Sequence, residues 1–312
     1  MSLLASQSKI IIAGGSGFLG QLLSKSLIDR GHEVVVLSRN QNSSLICSRS
    51  VFWDAKQIDI WVEELNGADV LINLTGKSID CRHTKKNRKE ILQSRLLSTQ
   101  VLREALASVN QPPSLWLNAS SMALYGECFG EHSAHDERSP SLSTGFLEDV
   151  TYKWEKEFFK FQSKEVRQIA LRISFILGSQ SGAFPFLRRL TKLGLGGAQG
   201  SGNQWMSWLH QDDWISIVHF LINNKHISGP INLSAPEPLT NRDFMKSLRS
   251  LEAPLGIGIP APAIGVKLGC AILGSAPELA LQSRKVVSKI LPENDYHFKY
   301  SCAADALANL CA

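Results

Sequence analysis

Apolar residues fall along this chain in short unbroken runs, with stretches of helical spacing between them. Lys9-Ile10-Ile11-Ile12-Ala13 is the first run, and it ends in glycines. Residues 18 to 30 then place apolar side chains at helical intervals, Gly31-His32 interrupts, and Glu33-Val34-Val35-Val36-Leu37 follows as a β-branched run. Ala68–Leu74 and Ser114–Ala119 repeat the strand pattern. A helix from about Lys89 to Ser108 is predicted between them, and Gln168–Ile173 reads as the next strand. Runs that are apolar throughout belong to strands covered on both faces. Alternating with helices, they predict an α/β fold: a Rossmann-type, doubly wound parallel sheet.

After Gly178 the alternation weakens and glycine and proline become frequent, most densely from Gly194 to Gly202. The expected organisation is a Rossmann domain over residues 1–180 and a smaller C-terminal α/β substrate lobe over 181–312. The segment from about 205 to 235 is expected to return to the first domain, because Pro230–Ser234 reads as a short strand.

The loop after the first strand, Gly14-Gly15-Ser16-Gly17-Phe18-Leu19-Gly20, carries the G-x-G-x-x-G spacing in the strand–loop–helix context that gives it meaning. Early glycines allow a tight turn, bare main-chain amides face a diphosphate at the positive end of the helix, and the last glycine lets helix and sheet approach. The second strand ends in Ser38-Arg39, where a ribose 2′-hydroxyl would ordinarily meet a carboxylate. A hydroxyl and a guanidinium suit a 2′-phosphate, so NADP is expected over NAD.

Composition narrows the remaining classes. Of 312 residues, 44% are hydrophobic and 20% charged, which is ordinary for a globular protein with a core of its own. The net charge of +5 does not by itself imply nucleic acid. The basic run Arg82–Lys89 lacks interleaved aromatics; it is read as a solvated face, with attraction of an anionic ligand the alternative. Six scattered cysteines, none in CxxC spacing, fit a reducing compartment rather than a disulfide framework, and no metal site is expected. No secretory leader is evident, and the most apolar stretch, 253 to 281, is broken by Pro254, Pro260, Pro262, Lys267 and Pro277. A cytoplasmic protein with a small-molecule substrate, no nucleic acid and no membrane partner is the expectation.

The glycine loop, Asn73-Leu74-Thr75-Gly76, Gln93-Ser94-Arg95 with Thr99, Trp154-Glu155, Gly194–Gly202 with Gln204, Trp208-Leu209-His210 with Asp213, and Asn232–Pro238 together resemble one family. It is the extended short-chain dehydrogenases, the group containing the nucleotide-sugar epimerases. Within it the chain is most similar to the SDR39U1-like subfamily described as "epimerase family protein". The resemblance covers nearly the whole chain and implies an NADP(H)-binding oxidoreductase or epimerase-like protein. Carried over by position, it implies that Ser38 and Arg39 hold the adenosine phosphate. Leu74, Thr75 and Gly76 would line the dinucleotide, Glu90 and Arg95 reach it from one helix, and Ile176 border the nicotinamide. Leu74 and Ile176 fit plain core positions equally well, and Glu90 fits a helix-surface acid.

Tyr152 and Lys156, in Tyr-Lys-Trp-Glu-Lys, have the spacing of the proton relay used across that wider group. On a helical wheel, however, Leu147, Val150, Trp154, Phe158 and Phe161 form one stripe, and Tyr152 and Lys156 lie about 160° from its centre. The positions flanking the stripe are Thr151 and Glu155, and those are also the positions that align with the relay when Trp154-Glu155 is the anchor. The apparent motif is therefore one residue out of register, and Tyr152 with Phe159 is assigned instead to a homodimer contact. Threonine cannot serve as an acid near neutral pH. Glu155 is the candidate base, Ser121 matches the substrate-orienting serine but fits a polar residue ending a strand equally well, and Tyr125 is a second phenol that either substitutes as acid or packs. Met206 stands where related sugar-nucleotide enzymes carry a phosphate-clamping arginine, which argues against a UDP-sugar. His210 reads as structural. Gly194–Gly202 reads either as a substrate loop or as a series of turns. The remaining class is a catalytically silent NADP(H)-binding sensor or scaffold.

Overall fold

A computed structural model describes residues 7–40, 45–130, 132–141, 145–253 and 255–312. The strands are β1 Lys9–Ala13, β2 Glu33–Ser38, β3 Arg49–Phe52, β4 Val70–Asn73, β5 Leu115–Ser121, β6 Arg167–Ile173, β7 Phe175–Leu177, β8 Trp205–Met206, β9 Trp208–His210, β10 Gly229–Leu233 and β11 Leu239–Thr240. The first six and β10 form a seven-stranded sheet in the order β10-β6-β5-β4-β1-β2-β3, and every neighbouring pair is parallel. The order reverses between β1 and β4. There the crossovers leave in opposite directions and open a crevice at the strand C-termini, where ligands of such sheets bind.

Helices α1 Phe18–Asp29, α2 Lys85–Ser108, α3 Phe146–Phe158, α4 Phe184–Lys192 and α5 Gln211–Asn223 follow in chain order. Alternate residues of each strand face opposite sides. Ile10, Ile12, Val34, Val36 and Ile72 pack under Leu23 and Leu27 of α1 and Trp214 and Ile217 of α5. Ile11, Val35, Leu71 and Trp116 pack under Val101 and Leu102 of α2 and Phe158 of α3. Burial on both faces is why the strands read as continuous apolar runs. A third cluster joins Leu177, Phe184 and Trp208 to α6 Asn241–Glu252 and α10 Ala303–Cys311. Between these two lie α7 Ala263–Leu273, α8 Glu278–Leu281 and α9 Ile290–Glu293.

Two elements depart from the sequence expectation. Helix α2 begins at Lys85 because the Thr84 hydroxyl caps it, accepting the Asn87 N–H at 3.2 Å. Its first turn is almost wholly polar, so apolar periodicity alone missed it. Strand β3 is a short edge strand whose Arg49-Ser50-Val51-Phe52 carries no apolar run to mark it; it exists because β2 offers it a partner.

Helix α5 meets α1 partly through His219, whose Nε2 lies 2.9 Å from Ser26 Oγ. Burial, with the neighbouring charges of Arg30 and His32, pushes this imidazole down to about 4. The folded state therefore holds His219 neutral while the unfolded chain takes up a proton below about pH 6.5. Stability should fall as pH drops from about 6.5 to about 4, by at most roughly 3 kcal/mol, and level off below. Urea titrations at stepped pH check this, and His219→Gln should flatten the slope.

Candidate active site

The loop joining β1 to α1 is built by close backbone approach. Gly14 has φ +76°, and a Cβ there would stand 3.0 Å from the main chain of Thr75. Gly20 is pressed so tightly on the loop that a Cβ would lie 2.6 Å from Gly15 Cα, while one at Gly15 would meet Val36. Gly17 caps α1 without a side-chain hydrogen bond, so the amides of Phe18, Leu19 and Gly20 belong to an uncapped first turn. Ser16 and Gly17 are exposed, and Gln21 braces the turn by donating to the Gly15 carbonyl at 2.7 Å. Phe18 packs on Gly178, where a Cβ would collide with its ring. The segment after β6 thus closes against the loop, bringing β7 and Ile176 to the same edge.

Ser38 and Arg39 end β2, the serine buried and accepting the Asn40 N–H at 3.2 Å, the arginine exposed. On the other side of the crevice, buried Asn73 donates to Asn118 Oδ1 at 2.7 Å and accepts the Thr75 N–H at 3.0 Å. That holds Leu74-Thr75-Gly76 open beside Gly14, with the Thr75 hydroxyl buried and unpartnered. Arg95 reaches the same place from α2. Its guanidinium lies 5.1 Å over the Trp154 ring and donates to the carbonyls of Lys77 and Ile91 at 3.1 and 3.0 Å. A Cβ on Gly76 would be 3.1 Å from it. Among the described residues Arg95 has no carboxylate partner, and burial pushes it down to about 10. Glu90, by contrast, is ion-paired to Lys77, which holds its carboxyl below the usual range. Asn73, Asn118 and their neighbour Thr99, which accepts the Trp154 N–H at 2.9 Å, were invisible as a set. Buried polar residues at strand ends were the available signal.

Helix α3 settles the register. Leu147, Val150, Thr151, Trp154, Glu155 and Phe158 are buried, whereas Tyr152 is 44% exposed and Lys156 exposed. The Thr151 hydroxyl donates to the Leu147 carbonyl at 2.8 Å. Both Glu155 oxygens accept from Arg172 of β6, each at 2.8 Å, and Oε1 also accepts from Ser120 at 2.5 Å. Arg172 in turn donates to Tyr125 Oη at 2.6 Å, and Tyr125 donates to Asn232 of β10 at 2.8 Å. This pairing pushes Arg172 upward, while burial pushes the Tyr125 phenol upward. The geometry therefore gives Glu155 the partners of a buried ion pair, and gives Tyr125, stacked on His135, those of a packed core phenol. Ser121 stays half-buried at the end of β5, accepting the Ala123 N–H at 3.1 Å.

The remaining candidates separate from the crevice. His210 is buried and caps α5, its Nδ1 accepting the Asp212 N–H at 3.0 Å, and its ring lies tilted against Tyr300 with centroids 3.9 Å apart. Met206 packs in β8 beside Asn241. Gly197 backs directly onto the main chain of Ile259-Pro260, so this part of the glycine stretch is fixed as packed turns. A cavity of about 480 Å³ opens beside the first turn of α3, between Arg88, Glu148, Lys267 and Gln282.

The profile of the NAD dependent epimerase/dehydratase family matches residues 10–233. Epimerase family protein YfhF of Bacillus subtilis is 31% identical over 304 residues, covering 97% of this chain and 98% of that protein. Epimerase family protein SA0724 of Staphylococcus aureus is 32% identical over 302 residues, covering 96% and 98%. The crystal structure of human epimerase family protein SDR39U1 with NADPH superposes with a TM-score of 0.85 at 29% identity, covering 97% of this chain and 99% of that one. UDP-N-acetylglucosamine 4-epimerase from Bacillus cereus, at 18% identity and a TM-score of 0.76, shares the fold.

Two outcomes follow from the α3 geometry. Arg172→Met leaves a buried carboxylate without its partner and should cost about 3–5 kcal/mol in urea unfolding, much of it recovered in the Glu155→Gln/Arg172→Met double variant. Tyr152→Phe and Lys156→Ala should leave nucleotide binding and any turnover unchanged within about twofold, read by titration and by NADPH absorbance.

Proposed function

Because the chain belongs to the NAD dependent epimerase/dehydratase family, we propose that it binds NADP(H) across the C-terminal ends of β1, β2 and β4. The supporting observation is the backbone packing of the glycine loop: a Cβ at Gly14 would press on the main chain of Thr75 and one at Gly20 would collide with that of Gly15, which fixes the loop and the open first turn of α1 at the crevice. The uncapped amides of Phe18, Leu19 and Gly20 receive the diphosphate. Ser38 and Arg39 take the 2′-phosphate. Leu74, Thr75 and Gly76 line the dinucleotide, the Thr75 hydroxyl gaining the partner it lacks. Arg95 adds a positive charge without a counter-carboxylate, Glu90 orients Lys77, and Ile176 borders the nicotinamide. SDR39U1 with NADPH is the comparison that favours the phosphorylated cofactor. When bound, the nicotinamide supplies or accepts a hydride.

What this chain's own residues do about the accompanying proton divides two readings. As an atypical oxidoreductase or epimerase-like protein, it would hold a carbonyl oxygen with Ser121 and use Glu155 as base, with a small molecule lying towards the C-terminal elements. As a silent NADP(H)-binding sensor or scaffold, it would need neither. The second reading is favoured by a specific observation: the relay positions hold Thr151, spent on its own helix, and Glu155, neutralised by Arg172. A base must be free to take a proton, and this carboxylate is fully engaged.

Fluorescence titration should give NADPH at least about tenfold tighter binding than NADH, and Arg39→Ala should erase most of that preference. Equal affinities would remove the 2′-phosphate assignment. NADPH consumption over a panel of carbonyl compounds separates the readings: turnover abolished by Ser121→Ala or Glu155→Gln supports the oxidoreductase, and tight binding without turnover supports the sensor.

A further inference from the structure

Helix α7 is the one α-helix of eight or more residues with no buried side chain among the described residues, although its sequence, Ala-Ile-Gly-Val-Lys-Leu-Gly-Cys-Ala-Ile-Leu, is almost wholly apolar. Its outward stripe is Ile264, Leu268 and Ile272, four residues apart, at 81%, 62% and 77% exposure. Val266 and Cys270 turn inward. The chain leading into the helix adds exposed Ile257 and Ile259. Exposed apolar residues gathered on one helix in this way mark an interaction site.

The basic run lies directly beside it. Arg82 donates to the Ala271 carbonyl at the end of α7, and Ser275, just past the helix, donates to Asp80. Lys267 projects from α7 itself and lines the same cavity as His83 and Arg88. Lys85, Lys86 and Lys89 are exposed on the first turns of α2. Among the described residues none of these six cations, Arg82, Lys85, Lys86, Arg88, Lys89 and Lys267, is ion-paired. They outnumber the carboxylates beside them that lack an ion pair, Asp80, Glu127 and Glu278; Glu90 and Glu148 also stand there but are paired to Lys77 and Arg284.

We propose that α7 and the N-terminal end of α2 form one face that lies on an anionic lipid surface, the apolar stripe entering the headgroup layer and the basic side chains meeting its phosphates. Such a helix lies in the plane of the interface and needs no spanning length; no helix of the described residues is long and apolar enough to cross a membrane. Charge selects this occupant over a second copy of the chain. A two-fold contact centred on α7 would bring two like cationic clusters together, whereas an anionic bilayer neutralises both the cluster and the cost of exposing the stripe. Each Lys or Arg near such a surface contributes on the order of fivefold in affinity, so the cluster and the stripe together suffice for reversible docking.

Co-sedimentation of the full chain with vesicles tests this. Vesicles of phosphatidylcholine with roughly 30% phosphatidylglycerol should retain at least about fivefold more protein than pure phosphatidylcholine, and raised salt should release it. Leu268→Glu/Ile272→Glu should abolish retention, and Lys85→Glu/Lys86→Glu should lower it at least about fivefold. Both variants should bind NADPH as the parent does, which separates failure here from failure of the nucleotide-binding reading. Equal retention on both vesicles, no retention on either, or full retention by Leu268→Glu/Ile272→Glu would overturn the proposal. So would conversion of a dimer to a monomer by that variant without any vesicle binding, which would make this face a subunit contact.

Discussion

The close approach of α1 to the sheet at Gly20 and Gly15 is the constraint on which the remainder of the molecule rests. Two backbones in van der Waals contact admit no Cβ between them, and that contact aims the open first turn of α1 into the crevice between β1 and β4. Gly14 extends the same logic across the crevice to Thr75, and Gly178 extends it to the segment after β6 through Phe18. A larger residue at any of these points would move an element, not merely fill a space. The open first turn of α1 is in this sense a by-product of packing: its main-chain amides lack a side-chain cap because the helix that owns them had to start there.

The second organising feature is ionic and buried. Glu155 and Arg172 couple α3 to β6, and Tyr125 and Asn232 continue the coupling to β10 at the sheet edge. A buried pair of this kind adds little net stability over an apolar substitute, but removing one member leaves a charge stranded in a low-dielectric interior. Ser120 adds a third hydrogen bond to the carboxylate, so α3 is tied to both β5 and β6.

Charge is unevenly placed over the surface. Arg95 stands without a carboxylate partner midway along α2, while the N-terminal end of that helix carries the unpaired cluster beside α7. One helix thus presents cations to two surroundings, one enclosed and one open. Its polar first turn, unneeded for any core, was free to diverge in composition from the apolar-periodic part that packs on the sheet.

The parallel sheet, the glycine loop and the correct face of α3 were all legible in the sequence, because each is set by local rules. Strands buried on both sides must be apolar throughout, a tight turn against a helix must be glycine, and a 100° step puts Tyr152 opposite Trp154. The start of α2 and the edge strand β3 escaped because a capping hydroxyl and a borrowed hydrogen-bonding partner leave no periodic trace. What Glu155 does was beyond the sequence for a stronger reason. Its partners Arg172, Ser120 and, through Arg172, Tyr125 and Asn232 come from β6, β5, the turn after β5, and β10, and only the parallel register of those strands sets them side by side. The exposure of α7 was hidden in the same way, since an apolar helix reads identically whether a neighbour covers it or not, and only the packed structure shows that nothing in the described chain does.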